Sequence, residues 1–185
     1  MSETVTAVKK KEPGMAQLVI VLFAISAITA LLLGLVNMVT APAIAANNLK
    51  KTNEAMAAVL PYDGTYEPVT YTGSDPVVTA MNKAGDAGYV VQVAPSGFGG
   101  NLNVMVGVDN AGVCTGVSII SHAETSGLGA NATKESFRDQ FVGKSGTQAV
   151  TQDGGEINAH TGATITSRAV TSGVNSALAA AASLG

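Results

Sequence analysis

The fold is decided by residues 102–121, LNVMVGVDNAGVCTGVSIIS. Two runs rich in β-branched residues, Leu102–Val108 and Val113–Ser121, flank the tetrapeptide Asp109-Asn110-Ala111-Gly112. Asp, Asn and Gly favour tight turns, whereas valine and isoleucine favour strands. The stretch therefore predicts two antiparallel strands joined as a hairpin.

The segments before the hairpin extend this sheet. Gly88–Ala94 (GYVVQVA) predicts a further strand, and the glycine-rich segment Ser96–Asn101 connects it to the hairpin. Tyr66–Lys83 is rich in Thr, Pro and Gly, and we expect it to be irregular.

Two helices are predicted after the hairpin. Lys134–Phe141 has the pattern of a short amphipathic helix. Thr166–Ala182 has Val170, Val174 and Leu178 at every fourth residue, and six of its other residues are alanines. The chain is therefore predicted to be an α+β protein, an antiparallel sheet with flanking helices.

A long apolar segment precedes this domain. Residues 18–36 (LVIVLFAISAITALLLGLV) carry no charge, and at about 1.5 Å rise per residue they nearly match the roughly 30 Å core of a bilayer. A cleaved signal peptide is the alternative, since Ala41-Pro42-Ala43 offers small residues. Its apolar part is typically only about 7–15 residues long, however, which favours an uncleaved transmembrane helix within residues 15–40.

Lysines predict the orientation of that helix. Lys9, Lys10 and Lys11 precede it, and no Lys or Arg follows until Lys50. By the positive-inside rule, the tail (residues 1–14) is predicted to be cytoplasmic and the rest after about residue 40 extracytoplasmic. We predict an exit segment and linker at 41–87, with a helix over Asn47–Leu60 that Pro61 ends, and a domain at 88–185.

Composition argues against several classes of function. After residue 40, seven Lys and Arg face eleven Asp and Glu, a net charge of −4, which argues against nucleic acid as a partner. The single cysteine, Cys114, predicts no intrachain disulfide. His122 and His160 are the only histidines and have no acidic cluster beside them, so no metal site is predicted.

The tetrapeptide Thr161-Gly162-Ala163-Thr164 is the main candidate site. Two small residues between the threonines let a phosphorylated ligand approach the backbone. The predicted helix that follows points its free N–H groups at this turn, which favours anion binding. An ordinary helix start with a threonine N-cap is the alternative.

Four segments stand in a specific order: GFGG (97–100), VMVGVD (104–109), HAETSGLG (122–129) and HTGAT (160–164). Following an uncleaved N-terminal helix, this order resembles the FMN-binding domain family. Within it, the chain is most similar to G subunits of Rnf-type electron transport complexes, membrane-bound ferredoxin:NAD+ oxidoreductases that move ions. The C subunit of Na+-translocating NADH:quinone reductase is a related member.

The resemblance implies a covalent cofactor. In the family, the last threonine of the [ST]GAT motif carries FMN through a phosphodiester, and the matching residue here is Thr164. A flavin transferase attaches FMN outside the cytoplasm, with FAD as donor. Asn158 stands where the family usually has an acidic residue; Asp153 and Glu156 lie nearby in sequence.

Further residues are candidate cofactor contacts, and for each the alternative is an ordinary surface turn or a solvated side chain. Glu124 and Thr125 are expected at the ring edge or phosphate, and Leu128 and Gly129 on the ring face. Lys144 is a candidate to neutralise the reduced flavin or its phosphate. The remaining predicted contacts are the other motif residues, Thr161, Gly162 and Ala163.

Two functions from different classes fit these features. The first is a covalently flavinylated electron carrier in the cell membrane, working with the other membrane and peripheral subunits of an Rnf-type complex. No catalytic residue of its own is expected. The second is an anchored extracytoplasmic flavin-binding or regulatory module without redox turnover.

Overall fold

Residues 14–127 and 129–184 are described by the computed structural model. Within these ranges the α-helices are α1 (Met15–Val59), α2 (Glu135–Arg138) and α3 (Thr164–Ala182). The strands are β1 (Glu67–Val69), β2 (Val78–Lys83), β3 (Tyr89–Val93), β4 (Asn103–Val108) and β5 (Cys114–Ser121). Short 3-10 turns lie at Gly129–Thr133, Asp139–Phe141 and Thr151–Asp153.

The strands form one antiparallel sheet in the order β1-β2-β3-β4-β5, which confirms the α+β class. The predicted hairpin joins β4 to β5. Asp109 closes its turn, because its Oδ1 accepts the N–H groups of Ala111 and Val113, both at 2.9 Å. Gly112 has a φ of 74°, which explains the glycine at that position.

The sheet is covered on both faces, and this explains why β3 and β4 are nearly continuous runs of valine rather than alternating patterns. One face packs against α3, where Val170, Val174 and Leu178, the residues at four-residue spacing, are buried. The opposite face packs against the last turns of α1. Its cluster consists of Ala55, Met56, Val59, Leu60, Ala84, Val90 and Met105.

A pair of glycines lets α1 approach the sheet closely. Gly107 and Gly116 lie opposite each other on β4 and β5. A Cβ at Gly107 would lie within 2.3 Å of the Val59 carbonyl oxygen, and one at Gly116 within 2.9 Å of Val59 Cα. The hydroxyl of Thr115 donates to the same carbonyl at 2.6 Å.

The region before β3 differs from the sequence-based prediction in two ways. Tyr66–Lys83 is not irregular throughout, because it contains β1 and β2. Pro68 is tolerated because β1 is an edge strand. The helix predicted from Asn47 is not separate either, since α1 continues through Pro42 to Val59. Proline removes one helical hydrogen bond, and the flanking alanines favour the helix.

The two helices after the sheet also differ from their predicted bounds. α2 is confined to Glu135–Arg138, and a 3-10 turn continues it to Phe141. Both Phe137 and Phe141 are fully buried, so tertiary packing rather than helix propensity determines this segment. α3 begins at Thr164, two residues earlier than predicted.

The chain divides into two compact units after Asn48. The described part of the first unit is α1 up to that residue, and its apolar side chains are exposed. Among the described residues, α1 is the one helix long and apolar enough to cross a membrane, which suggests a membrane anchor. The second unit, from Leu49 onward, contains the whole sheet with α2 and α3.

Candidate functional site

A cavity of about 370 Å³ lies where three segments of the second unit meet. The connection between β3 and β4 contributes one wall, the loop after β5 the second, and the start of α3 the third. The residues that line it are Phe98, Glu124, Thr125, Gly129, Gly162, Ala163, Thr164, Ile165 and Thr166.

A tight turn brings the Thr-Gly-Ala-Thr motif to this cavity. The Ala163 N–H donates to the His160 carbonyl at 2.9 Å, and Gly162 has a φ of 80° at the third turn position. Glycine is favoured there because a side chain strains that conformation. Ser167 braces the turn: its hydroxyl donates to the Ala163 carbonyl at 3.0 Å and accepts the His160 N–H at 3.1 Å.

The N-terminus of α3 opens on the cavity without a side-chain cap. Its N-cap is Ala163, whose methyl group accepts no hydrogen bond. The sequence-based alternative of a threonine N-cap is therefore wrong. Thr164 is the first helical residue, half-buried in the cavity wall. A hydroxyl thus lies next to free N–H groups and the positive end of a helix of 19 residues.

Glu124 connects the three walls of the cavity. Its side chain is only 7% exposed. One carboxylate oxygen accepts the Gly99 N–H at 3.1 Å, and the other accepts the Thr166 hydroxyl at 2.8 Å. A Cβ added at Gly97 would lie within 2.2 Å of this carboxylate, and one at Gly129 within 2.3 Å. Glycines in two motifs thus leave room for this glutamate.

The structure brings together most of the residues that the sequence indicated. Six of them line the cavity: Glu124, Thr125, Gly129, Gly162, Ala163 and Thr164. Thr161 is exposed and lines a neighbouring cavity of about 270 Å³ with Asn158 and His160. Leu128 lies outside the described residues.

Lys144 is not brought to this cavity. Its ammonium pairs with Glu156 at 2.6 Å and lines a separate, polar cavity. This pairing lowers the pKa of the Glu156 carboxyl from its ordinary value. Arg168 likewise lowers the pKa of Asp153, to which its guanidinium donates two hydrogen bonds. Both acidic residues near Asn158 are therefore already paired with cations.

Three lining residues were not predicted, namely Phe98, Ile165 and Thr166. Thr166 and Ile165 follow the motif directly, so a one-turn extension of the site would have included them. Phe98 belongs to the glycine-rich connection, whose composition indicates only a link between strands. His122 has the structural role of a loop acceptor, since its Nδ1 accepts the Glu124 N–H at 3.2 Å.

Comparison with known proteins identifies the domain that contains this cavity. The FMN-binding domain family matches residues 97–179, which include every lining residue. The chain is 38% identical to the G subunit of the Na(+)-translocating ferredoxin:NAD(+) oxidoreductase complex of Acetobacterium woodii, over 84% of this chain and 86% of the relative. It is 36% identical to the proton-translocating counterpart of Clostridium ljungdahlii, over 82% and 83%.

A third relative comes from Methanosarcina acetivorans. The G subunit of its ion-translocating oxidoreductase complex is 33% identical, over 88% of this chain and 92% of the relative. With such coverage, these matches extend beyond the sheet domain into the apolar helix. The chain therefore belongs to the family of G subunits of ion-translocating oxidoreductase complexes and contains its FMN-binding domain.

Proposed function

We propose that this chain is the membrane-anchored FMN subunit of an ion-translocating ferredoxin:NAD+ oxidoreductase, with FMN joined to Thr164 through a phosphodiester. The names of the Acetobacterium and Clostridium relatives support the complex, and the matching domain family supports FMN. One observation carries the attachment site: Thr164 is the first residue of an uncapped helix and lines the cavity.

The residues present fit FMN. A phosphodiester keeps one negative charge, which the free N–H groups at the start of α3 stabilise. Gly162 and Ala163 leave the backbone accessible beside Thr164. Phe98 and Ile165 give the same cavity apolar walls, as a flat aromatic ring system requires.

The attachment is a phosphoryl transfer in which atoms balance. The Thr164 Oγ forms a bond to the FMN phosphorus of FAD, and the pyrophosphate bond breaks. AMP leaves with the bonding electron pair, and the hydroxyl proton passes to a base on the flavin transferase. We assign the transferase as a maturation partner and place the reaction outside the cytoplasm.

The proposed role of this chain is electron transfer. Bound FMN supplies one- and two-electron redox chemistry. The chain's own residues hold it: Thr164 prevents its loss by dissociation, and the start of α3 stabilises the charge. The other membrane and peripheral subunits of the complex deliver and remove electrons. α1 keeps the domain at the membrane beside them, with the tail in the cytoplasm.

The test compares Thr164→Ala with Thr164→Ser and Thr161→Ala, each produced as a full chain together with a flavin transferase. Thr164→Ala is expected to lose all in-gel flavin fluorescence after denaturation, because the phosphodiester needs an oxygen nucleophile. Thr164→Ser keeps a hydroxyl oxygen at the attachment position, so it should retain covalent flavin. Thr161→Ala should retain it too, because Thr161 does not line the cavity. Intact mass gives the stoichiometry.

Two results would contradict the proposal. Covalent flavin retained in Thr164→Ala but lost in Thr161→Ala would move the attachment to Thr161. Wild-type protein without covalent flavin would rule out the tethered carrier. A covalent flavin whose absorption does not change while the assembled complex turns over would instead support the anchored module without redox turnover.

A further inference from the structure

We infer that Phe98 is a ring contact of the flavin, supplying an aromatic face at the mouth of the cavity. This inference rests on the proposed FMN site and adds to it a residue that lies outside the Thr-Gly-Ala-Thr motif. The Phe98 side chain is 70% exposed although it lines the cavity.

The exposure of Phe98 is unusual within the domain. The other two phenylalanines there, Phe137 and Phe141, are buried and pack edge to face, with ring centroids 5.6 Å apart. Burial of an aromatic side chain stabilises a fold, and the exposed Phe98 makes little of this contribution. Ile165, on another wall of the same cavity, is also 54% exposed.

The backbone that carries Phe98 is held in place on both sides. The Gly97 N–H donates to the Gly100 carbonyl at 2.8 Å, which closes the connection. The Gly99 N–H donates to the buried carboxylate of Glu124. Neither Gly97 nor Gly99 has room for a Cβ. Phe98 is thus the one side chain that this four-residue segment presents, on a preorganised backbone.

The distribution of polarity in the cavity identifies the part of the ligand that Phe98 meets. Donors for an anion are concentrated at the start of α3, whereas Phe98 offers an apolar π face and no donor. A ligand that fills the cavity therefore has an anionic end and a flat apolar end. FMN tethered by its phosphate at Thr164 satisfies both requirements, with its ring system beside Phe98.

The absence of tryptophan from the sequence makes a direct test possible. Tryptophan in contact with an isoalloxazine ring quenches flavin fluorescence by electron transfer. We therefore compare Phe98→Trp with Val142→Trp in the full, flavinylated chain. Val142 is an exposed apolar residue that does not line the cavity. Its neighbour Gly143 bonds to Cys114 at the start of β5, whereas Glu124 follows the end of that strand.

Strand β5 lies between Val142 and the cavity. Its 8 residues, at about 3.3 Å per step, span roughly 23 Å, too far for contact quenching at Val142. We expect Phe98→Trp to lower fluorescence per covalent flavin several-fold and Val142→Trp to leave it at the wild-type level. Flavin content is fixed first by intact mass.

The outcomes separate this inference from the proposed function. Equal fluorescence of the two variants, with full flavin content in both, would overturn the contact at Phe98 and leave the attachment at Thr164 intact. Wild-type protein without covalent flavin would overturn both. Selective quenching in Phe98→Trp supports the contact.

Discussion

Glu124 illustrates how a single residue organises this site. Its buried carboxylate accepts one hydrogen bond from the β3–β4 connection and one from the first turn of α3. The loop after β5 supplies the residue itself. Because buried donors without acceptors cost free energy, removal of this carboxylate affects two other segments at once.

Glu124→Ala is therefore expected to lower the free energy of unfolding by about 1–3 kcal/mol, since Gly99 and Thr166 lose their acceptor. Thr125→Ala, at the exposed neighbouring position, is the control and should change it by less than about 0.5 kcal/mol. Urea unfolding of the flavin-free full chain in detergent, followed by circular dichroism, measures both. Equal urea midpoints for the two variants would contradict a stabilising role of the Glu124 carboxylate.

Site residues whose partners lie close in the sequence were predictable, whereas those whose partners lie far along the chain were not. The place of Thr164 between a turn and the start of a helix was predictable to within two residues, because both are local features of adjacent residues. The partner of Lys144 was not, because Glu156 is 12 residues away and only the folded loop brings them together. Phe98 was missed for a related reason: its place in the cavity depends on Glu124, 25 residues beyond its neighbour Gly99.

Among the elements, those with strong local signals were predicted and those stabilised by neighbours were not. β3, β4 and β5 are rich in valine and isoleucine, and each of their ends lies within one residue of its predicted bound. β1 has only three residues and exists through its pairing with β2. Such a short segment carries little propensity, so the sequence alone did not reveal it.

Single substitutions can test which face of α3 is buried against the sheet. Leu178 is 4% exposed in the core, whereas its neighbour Ala179 is on the exposed face of the helix. Leu178→Asp should destabilise the domain by about 3–5 kcal/mol, because the carboxylate has no partner there. Ala179→Asp introduces the same charge and should cost less than about 1 kcal/mol. Similar melting temperatures for both variants would mean that the buried face of α3 was assigned wrongly.

On the scale of the whole molecule, Cys114 makes the membrane orientation measurable. It is the only cysteine of the chain and is 1% exposed. Burial raises the pKa of its thiol to about 11, although a backbone hydrogen bond at Gly116 lowers it in part. Little thiolate is therefore present at neutral pH, and a cysteine introduced elsewhere becomes the reactive one.

The orientation is tested with Ala111→Cys, in the exposed β4–β5 turn, and Ala7→Cys, in the tail before α1. A membrane-impermeant maleimide added to intact cells should label the first variant, because the domain is proposed to lie outside. It should label the second only after lysis, and the wild type in neither case. Labelling of Ala7→Cys in intact cells, without labelling of Ala111→Cys, would reverse the proposed orientation.

The contact of Val59 with the Gly107–Gly116 pair has a practical consequence for producing the domain without its anchor. A truncation that starts at residue 61 or later removes Met56, Val59 and Leu60 and exposes Val90 and Met105 on one face of the sheet. An uncovered apolar face favours aggregation. A soluble version therefore has to begin before Ala55 but after the apolar run of residues 18–36. Any foreign helix fused in place of α1 has to supply residues that pack against Gly107 and Gly116.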